Sequence, residues 1–312
     1  MEKIVFFHMN QLGDLLFSLP VLKAAKQETG AKIYSVVKPA LAPLLISSGV
    51  ADATIEKGVS FFRFVKIIKS EKFSKAVLFS ESPSSLSAAF LAGISKRFGF
   101  NTASLNFLLT NKTARTGVPS LFNNKNLGAA FGLKNIQSDY TSIIKIPKEN
   151  SERVREWFKN KNLDSKKVIA VSAGASKKRQ SKRLDNGKWA EIIDALSAKG
   201  FSCVLSGAAF EKESMAELSL MCKNRPEIFA AENGILDSAA FLQEAALFAG
   251  IDSGAMHLAA AAGAKCVGVF GNTDPLQVGP MPLEKHSIVK KDNVADIKAS
   301  EVISAILKNF EF

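Results

Sequence analysis

Two short apolar runs, Leu247–Ile251 and Cys266–Phe270, flank a turn at Asp252-Ser253-Gly254 and a stretch of small residues beginning at Ala255. Each run has strand length, and the stretch between them has helix composition, so the segment reads as strand, tight turn, helix, strand. That unit belongs to a parallel sheet and places a helix N-terminus at the sheet's carboxyl edge. Free N–H groups and the positive end of the helix dipole at that point attract phosphate. The second run stops at Gly271-Asn272-Thr273-Asp274-Pro275, where Asp274 suits the cap of a short helix.

The same alternation runs through most of the chain. Strands are expected at 3–8, 31–37, 50–56, 75–80 and 95–100, with helices at 13–28, 39–48, 59–70 and 82–93. Pro20 lies inside the first helix and should kink or restart it. Residues 101–140, rich in Asn, Lys, Thr and Gly, break the rhythm and read as a surface element or a substrate-facing loop. Alternation resumes with strands at 142–146, 167–173, 201–207 and 227–230, and helices at 151–162, 186–199, 211–222 and 238–245. A final helix is expected at 295–309 and could return to the first domain. The polar, proline-containing stretch at 146–151 marks a boundary, giving domains 1–148 and 149–312. The fold class is therefore α/β, two doubly wound domains with ligands beyond the carboxyl ends of their strands.

The chain of 312 residues carries 41 Lys and Arg against 29 Asp and Glu, a formal charge of +12. That balance favours anionic partners. Interleaved basic and aromatic repeats are missing, so nucleic acid is not an expected partner. Cys203, Cys222 and Cys266 are far apart in apolar surroundings, without metal-ligand spacing, and read as core residues of a reducing compartment. With three histidines and no carboxylate cluster, neither a metal nor another cofactor is expected. GxGxxG, the P-loop and GxSxG are all missing. That speaks against a nicotinamide oxidoreductase, the other reading of an α/β pattern. No run is long enough to span a membrane and no leader is visible, so the expected place is cytoplasmic.

Four clusters fall at predicted strand ends. Gln11-Leu12-Gly13-Asp14 follows the first strand, where Asp14 is either a first-turn carboxylate or a base for a substrate hydroxyl. Ser172 to Arg183 is a Gly/Ser loop with five cations, suited either to solvent or to a diphosphate. Glu211 follows the strand at 201–207 and is either a helix-start carboxylate or a partner for a ribose hydroxyl pair. His257 stands in the first turn after Asp252, as a polar-pocket residue or a ligand contact.

Taken together, 10–26 (NQLGDLLFSLPVLKAAK), 172–192 (SAGASKKRQSKRLDNGKWAEI), 206–213 (SGAAFEKE) and 251–280 (IDSGAMHLAAAAGAKCVGVFGNTDPLQVGP) resemble glycosyltransferase family 9, the ADP-heptose:lipopolysaccharide heptosyltransferases. The resemblance implies a GT-B fold, two Rossmann-like domains facing across a cleft. The N-terminal one would bind the acceptor and the C-terminal one the nucleotide-sugar donor. It implies inverting, metal-independent transfer of heptose from ADP-heptose to a lipid-linked anionic saccharide, at the inner face of the cytoplasmic membrane with peripheral contact. The alternatives on this fold are another nucleotide sugar or acceptor, or a non-catalytic nucleotide-sugar-binding protein. By similarity Asp14 would be the general base. Ser176, Lys182, Glu211, Asp252, Ser253, Gly254, Met256 and His257 would line the donor site. Gln11, with Lys112 and Arg115 chosen by position and charge, would face the acceptor. The chain departs from the family pattern at Ala173, usually Pro, at Lys177 and Lys178, usually aromatic, and at Leu184, often Trp.

Overall fold

Residues Ile4 to Phe7 are all fully buried, which only a central strand covered on both faces achieves. They form β1 (Lys3–Phe7), the middle of a six-stranded parallel sheet with β2 (Lys32–Val37), β3 (Ala53–Glu56), β4 (Lys75–Leu78), β5 (Lys96–Phe100) and β6 (Asn111–Thr113). The order is β3-β2-β1-β4-β5-β6. In this computed structural model, which describes residues 1–9, 11–116, 119–174 and 182–310, the chain divides into units Met1–Lys145 and Ile146–Phe312.

The second unit repeats the plan. Its strands are β7 (Val168–Ser172), β8 (Ser202–Ala208), β9 (Glu227–Ala231), β10 (Leu247–Ile251), β11 (Cys266–Phe270) and β12 (Ser287–Lys290). All pairings are parallel, in the order β12-β11-β10-β7-β8-β9. Each sheet thus reverses its winding beside its first strand, between β1 and β4 and between β7 and β10. The carboxyl ends at such a reversal form the natural ligand crevice.

The helices of the first unit are α1 (Leu12–Leu16), α2 (Leu19–Glu28), α3 (Ala42–Ser47), α4 (Phe61–Glu71), α5 (Pro83–Leu91) and α6 (Ser120–Phe131). Pro20 restarts rather than kinks: α1 ends, Ser18 intervenes, and Pro20 takes the first turn of α2, where its missing N–H costs nothing. The second unit adds α7 (Lys148–Asn160), α8 (Asn186–Ser197), α9 (Lys212–Met221), α10 (Ile235–Glu244), α11 (Gly254–Ala262), α12 (Pro275–Val278) and α13 (Ala299–Leu307).

Two expectations are corrected, and two features are added to the reading. Residues 101–140 are not simply a loop; they supply β6 and α6. The helix escapes its apolar pattern because Asn123 and Asn124 take buried positions. The Asn123 amide answers the Thr116 backbone, accepting from its N–H at 2.9 Å and donating to its C=O at 3.2 Å. Residues 142–146 form the end of a turn and irregular chain rather than a strand; Ile143 and Ile144 are buried without joining a ladder. β12 was not foreseen. The closing helix, α13, packs into the core of its own unit, where Val302 and Ile306 lie among Val267, Val289 and Trp189.

The three cysteines are free and buried, and burial pushes the Cys203 thiol up to about 12 and Cys222 to about 11. Among the described residues no helix is long and apolar enough to cross a membrane. Ile306→Ala should lower unfolding free energy by about 2–4 kcal/mol, the usual result of emptying a fully buried aliphatic site. Chemical denaturation measures it, and a loss below about 1 kcal/mol would remove α13 from the core.

Candidate active site

The carboxyl edge of the second sheet gathers around one buried carboxylate. Asp252 follows β10 and is 8% exposed. A charge so placed needs partners to offset its lost hydration. Lys182, arriving from the loop after β7, donates Nζ–H to Asp252 Oδ2. The Thr273 hydroxyl, from the turn after β11, donates to the same oxygen at 2.8 Å. The connections that follow β7, β10 and β11 thereby meet at Asp252. Gly250 makes the approach possible, because a Cβ there would lie 2.8 Å from the Ser172 carbonyl oxygen.

Ser253 then caps α11 in extended conformation, φ −147° and ψ 168°, but its side chain makes no capping hydrogen bond. Its Oγ is buried without a hydrogen-bond partner among the described residues. The first turn of α11 starts at Gly254, so the side-chain acceptor that normally answers a helix N-terminus is missing where the dipole is positive. An anion would fill that role. The helix closes at Gly263, whose φ of 96° suits a left-handed C-terminus.

His257 lies on this helix, 4% exposed. Burial pulls it down to about 4; the Asp252 charge opposes the shift, and Lys182 and His286 add to it. It is neutral near pH 7 and serves as a hydrogen-bonding group rather than a cation. Met256 is completely buried, and a Cβ at Gly268 of β11 would sit 2.9 Å from its sulfur, so its backbone N–H in the first turn of α11 is what it can offer a donor. The side chain belongs to the packing of α11 on the sheet. Ser176, with the cations at 177–179, lies outside the described residues.

Glu211 stands at the neighbouring strand end. Its Oε2 accepts from the Ala208 N–H at 2.9 Å, so part of its role is local. Its carboxylate also lies against Gly174 and Gly207, positions where any Cβ would collide with it. The narrow cleft beside it is lined by Gly174, Arg183, Asn186, Ser206 and Ser214. Asp274 does what its sequence position suggested, accepting from the Leu276 N–H at 2.9 Å.

In the first unit Asp14 is half-buried in the first turn of α1, and Gln11 is the exposed residue before that helix. A buried histidine fixes the place. His8 is 1% exposed and stacks on Phe79, ring centres 5.6 Å apart. Ser18 donates its hydroxyl to the Leu15 C=O at 2.6 Å and so accepts from His8 Nδ1, 3.0 Å away. His8 Nε2 then accepts from Ser35 at 3.2 Å. The end of β1, Ser35 within β2 and the α1–α2 junction are thus joined, which sets the helix that carries Asp14. Lys57, after β3, reaches the His8 carbonyl oxygen at 3.4 Å, and burial, then Lys38, lowers its pKa. Arg115 is occupied by Glu81 at 3.3 Å and lies over Phe100, while Lys112 is exposed on β6.

Sequence reading missed Thr273 as a partner of Asp252, taking the stretch as a cap alone. It also missed Lys57, whose position after a short strand carries no motif. Among the described residues no three His, Cys, Asp or Glu side chains cluster as metal ligands do.

The model of glycosyltransferase family 9 (heptosyltransferase) matches residues 61–303. Lipopolysaccharide heptosyltransferase 3 of Escherichia coli is 22% identical over 284 residues, covering 84% of this chain and 81% of that protein. A solved glycosyl transferase family 9 from Veillonella parvula superposes with a TM-score of 0.88 at 17% identity, over 99% of this chain and 97% of the other. E. coli heptosyltransferase WaaC, solved with ADP, gives 0.80 at 18% identity, over 98% and 99%. The two Rossmann-like units are those of the GT-B fold.

Asp252→Asn should lower stability by about 3 kcal/mol, since it leaves the Lys182 ammonium largely buried without a counter-charge. An unchanged denaturation midpoint would show that the pair holds nothing together. All three histidines are depressed by burial from 6.5, His8 to about 3 and His257 and His286 to about 4. The unfolded chain therefore binds more protons below pH 6.5, and stability should fall as pH drops from 6.5 towards 4. Melting temperatures at pH 7 and pH 5 check this; equal values would contradict it.

Proposed function

This chain belongs to glycosyltransferase family 9, and from that premise we propose that it moves heptose from ADP-heptose to a lipopolysaccharide core acceptor. The observation that carries the reading is the uncapped start of α11 beside the Lys182–Asp252–Thr273 cluster. It offers backbone N–H groups and a cation to one anionic ligand, as a nucleoside diphosphate requires. A fold neighbour solved with ADP supports adenosine as the nucleoside. Glu211 and the cleft beside it are suited to hold the ribose.

The chemistry follows from where charge develops. As the bond from the sugar to the diphosphate breaks, negative charge grows on the leaving phosphate. Lys182 and the first N–H groups of α11 stabilise it without reorganising. His257, neutral, contributes through N–H donation rather than charge. Asp14 takes the proton from the acceptor hydroxyl as that oxygen attacks the anomeric carbon from the opposite face, giving inversion. Because fixed cations and amides meet the leaving group, the proposed transfer runs without a metal ion. The acceptor is lipid-linked and anionic, presented at the cytoplasmic face of the membrane.

Asp14→Ala should reduce kcat by about 10²- to 10⁴-fold, the usual contribution of a positioned base, with donor affinity nearly intact. Near-normal kcat would remove Asp14 from the chemistry. ADP should raise the melting temperature more than UDP or GDP at equal concentration, because a ligand stabilises the state it binds. Preference for UDP would overturn the choice of nucleoside and leave the transferase reading standing. ADP-sugar affinity with no transfer to any lipid-linked acceptor would make the protein a binding module.

A further inference from the structure

The positive charge of this chain sits almost entirely in one unit. Between Met1 and Lys145 stand 18 Lys and Arg against 8 Asp and Glu, a net +10 of the whole chain's +12. α4 concentrates it. Arg63, Lys66 and Lys69 are exposed, and exposed Lys72 follows at the helix C-terminus. The one acidic residue of the helix, Glu71, is held by Lys3 at 2.7 Å. Among the described residues Arg63, Lys66 and Lys69 form no ion pair with a carboxylate.

The inner face of α4 is fully explained by folding. Phe64 and Ile68 are buried, and Phe61, Val65 and Ile67 pack against the first core. The outer face holds something folding does not need. Phe62 is 84% exposed. It shares one line of the helix with Lys66 and Lys69, at i+4 and i+7, while Arg63 stands beside it. An aromatic ring standing in water among cations is the pattern of a helix that lies in a lipid–water boundary.

We propose that the outer face of α4, Phe62 with Arg63, Lys66 and Lys69, docks on an anionic bilayer. Phe62 enters the acyl boundary while the cations meet lipid phosphates. A partner offering phosphate alone would engage the cations but leave the ring in water; a bilayer satisfies both. The position also fits. α4 starts at the carboxyl edge of β3, and in a parallel sheet that is the edge to which β1 delivers α1 and Asp14. The proposal rests on the reading of a lipid-linked acceptor, and it gives that acceptor's membrane a place to meet the unit that carries Asp14.

The test is co-sedimentation of the full chain with extruded vesicles of phosphatidylcholine, with or without phosphatidylglycerol. Wild type should bind the phosphatidylglycerol vesicles and dissociate as salt rises. Arg63→Gln/Lys66→Gln/Lys69→Gln should lower partitioning by at least about tenfold, and Phe62→Ser by about threefold or more. Asp14→Ala should bind as wild type, which separates this proposal from the catalytic one. Transfer to a short-chain soluble acceptor should be unchanged in the α4 variants, while transfer to vesicle-embedded acceptor falls. No binding of wild type, or equal binding by the triple variant, overturns the proposal. An equal loss with soluble acceptor also overturns it, by making the face an acceptor-binding surface.

Discussion

One buried carboxylate organises the second unit. Asp252 is placed where a charge is tolerated only if it is answered, and it is answered by Lys182 and by Thr273. These partners come from the loop beyond β7 and the turn after β11, so satisfying Asp252 draws both connections to the start of α11. Gly250 permits the close passage of β10 and β7. The helix that follows has no side-chain cap, and what a cap would have supplied is left to an anion. On the proposed reading, folding and phosphate recognition depend on the same few atoms.

The first unit is arranged by a different device, a neutral histidine. His8 can be held between two serines and against an aromatic ring only while uncharged, and burial keeps it so. The result is a fixed path from β1 into α1, where Asp14 sits. The two units share a strand order yet differ in charge: the first carries +10 and the second little. That asymmetry is what the proposed division of labour requires, one unit for an anionic, membrane-bound partner and the other for a diphosphate.

Much of this was legible in the sequence, and the exceptions have physical causes. Asp252, Ser253 and Gly254 announced themselves because a strand, a turn and a small-residue helix follow in order. The parallel alternation identified both sheets, since buried strands are continuous apolar runs. α6 was invisible because Asn123 and Asn124 take buried positions, Asn123 through hydrogen bonds to the Thr116 backbone that sequence periodicity does not register. Ile143 and Ile144 misled in the opposite sense, being buried but irregular. Met256 lies one residue from His257, and only packing against Gly268 reveals that its side chain serves the core. Leu184, where the family pattern often has Trp, is buried at 1% in the cluster that holds Val171 and Trp189, so the departure falls on packing there.

The central claim is that the edge around Asp252 and α11 binds the phosphates of a nucleoside diphosphate. Calorimetric titration of wild type and Lys182→Met with ADP and with adenosine tests it most directly. Losing one charge-assisted phosphate contact should weaken ADP binding by about tenfold or more and leave adenosine binding unchanged. Equal ADP affinity in the two proteins, or a parallel loss for adenosine, would contradict it.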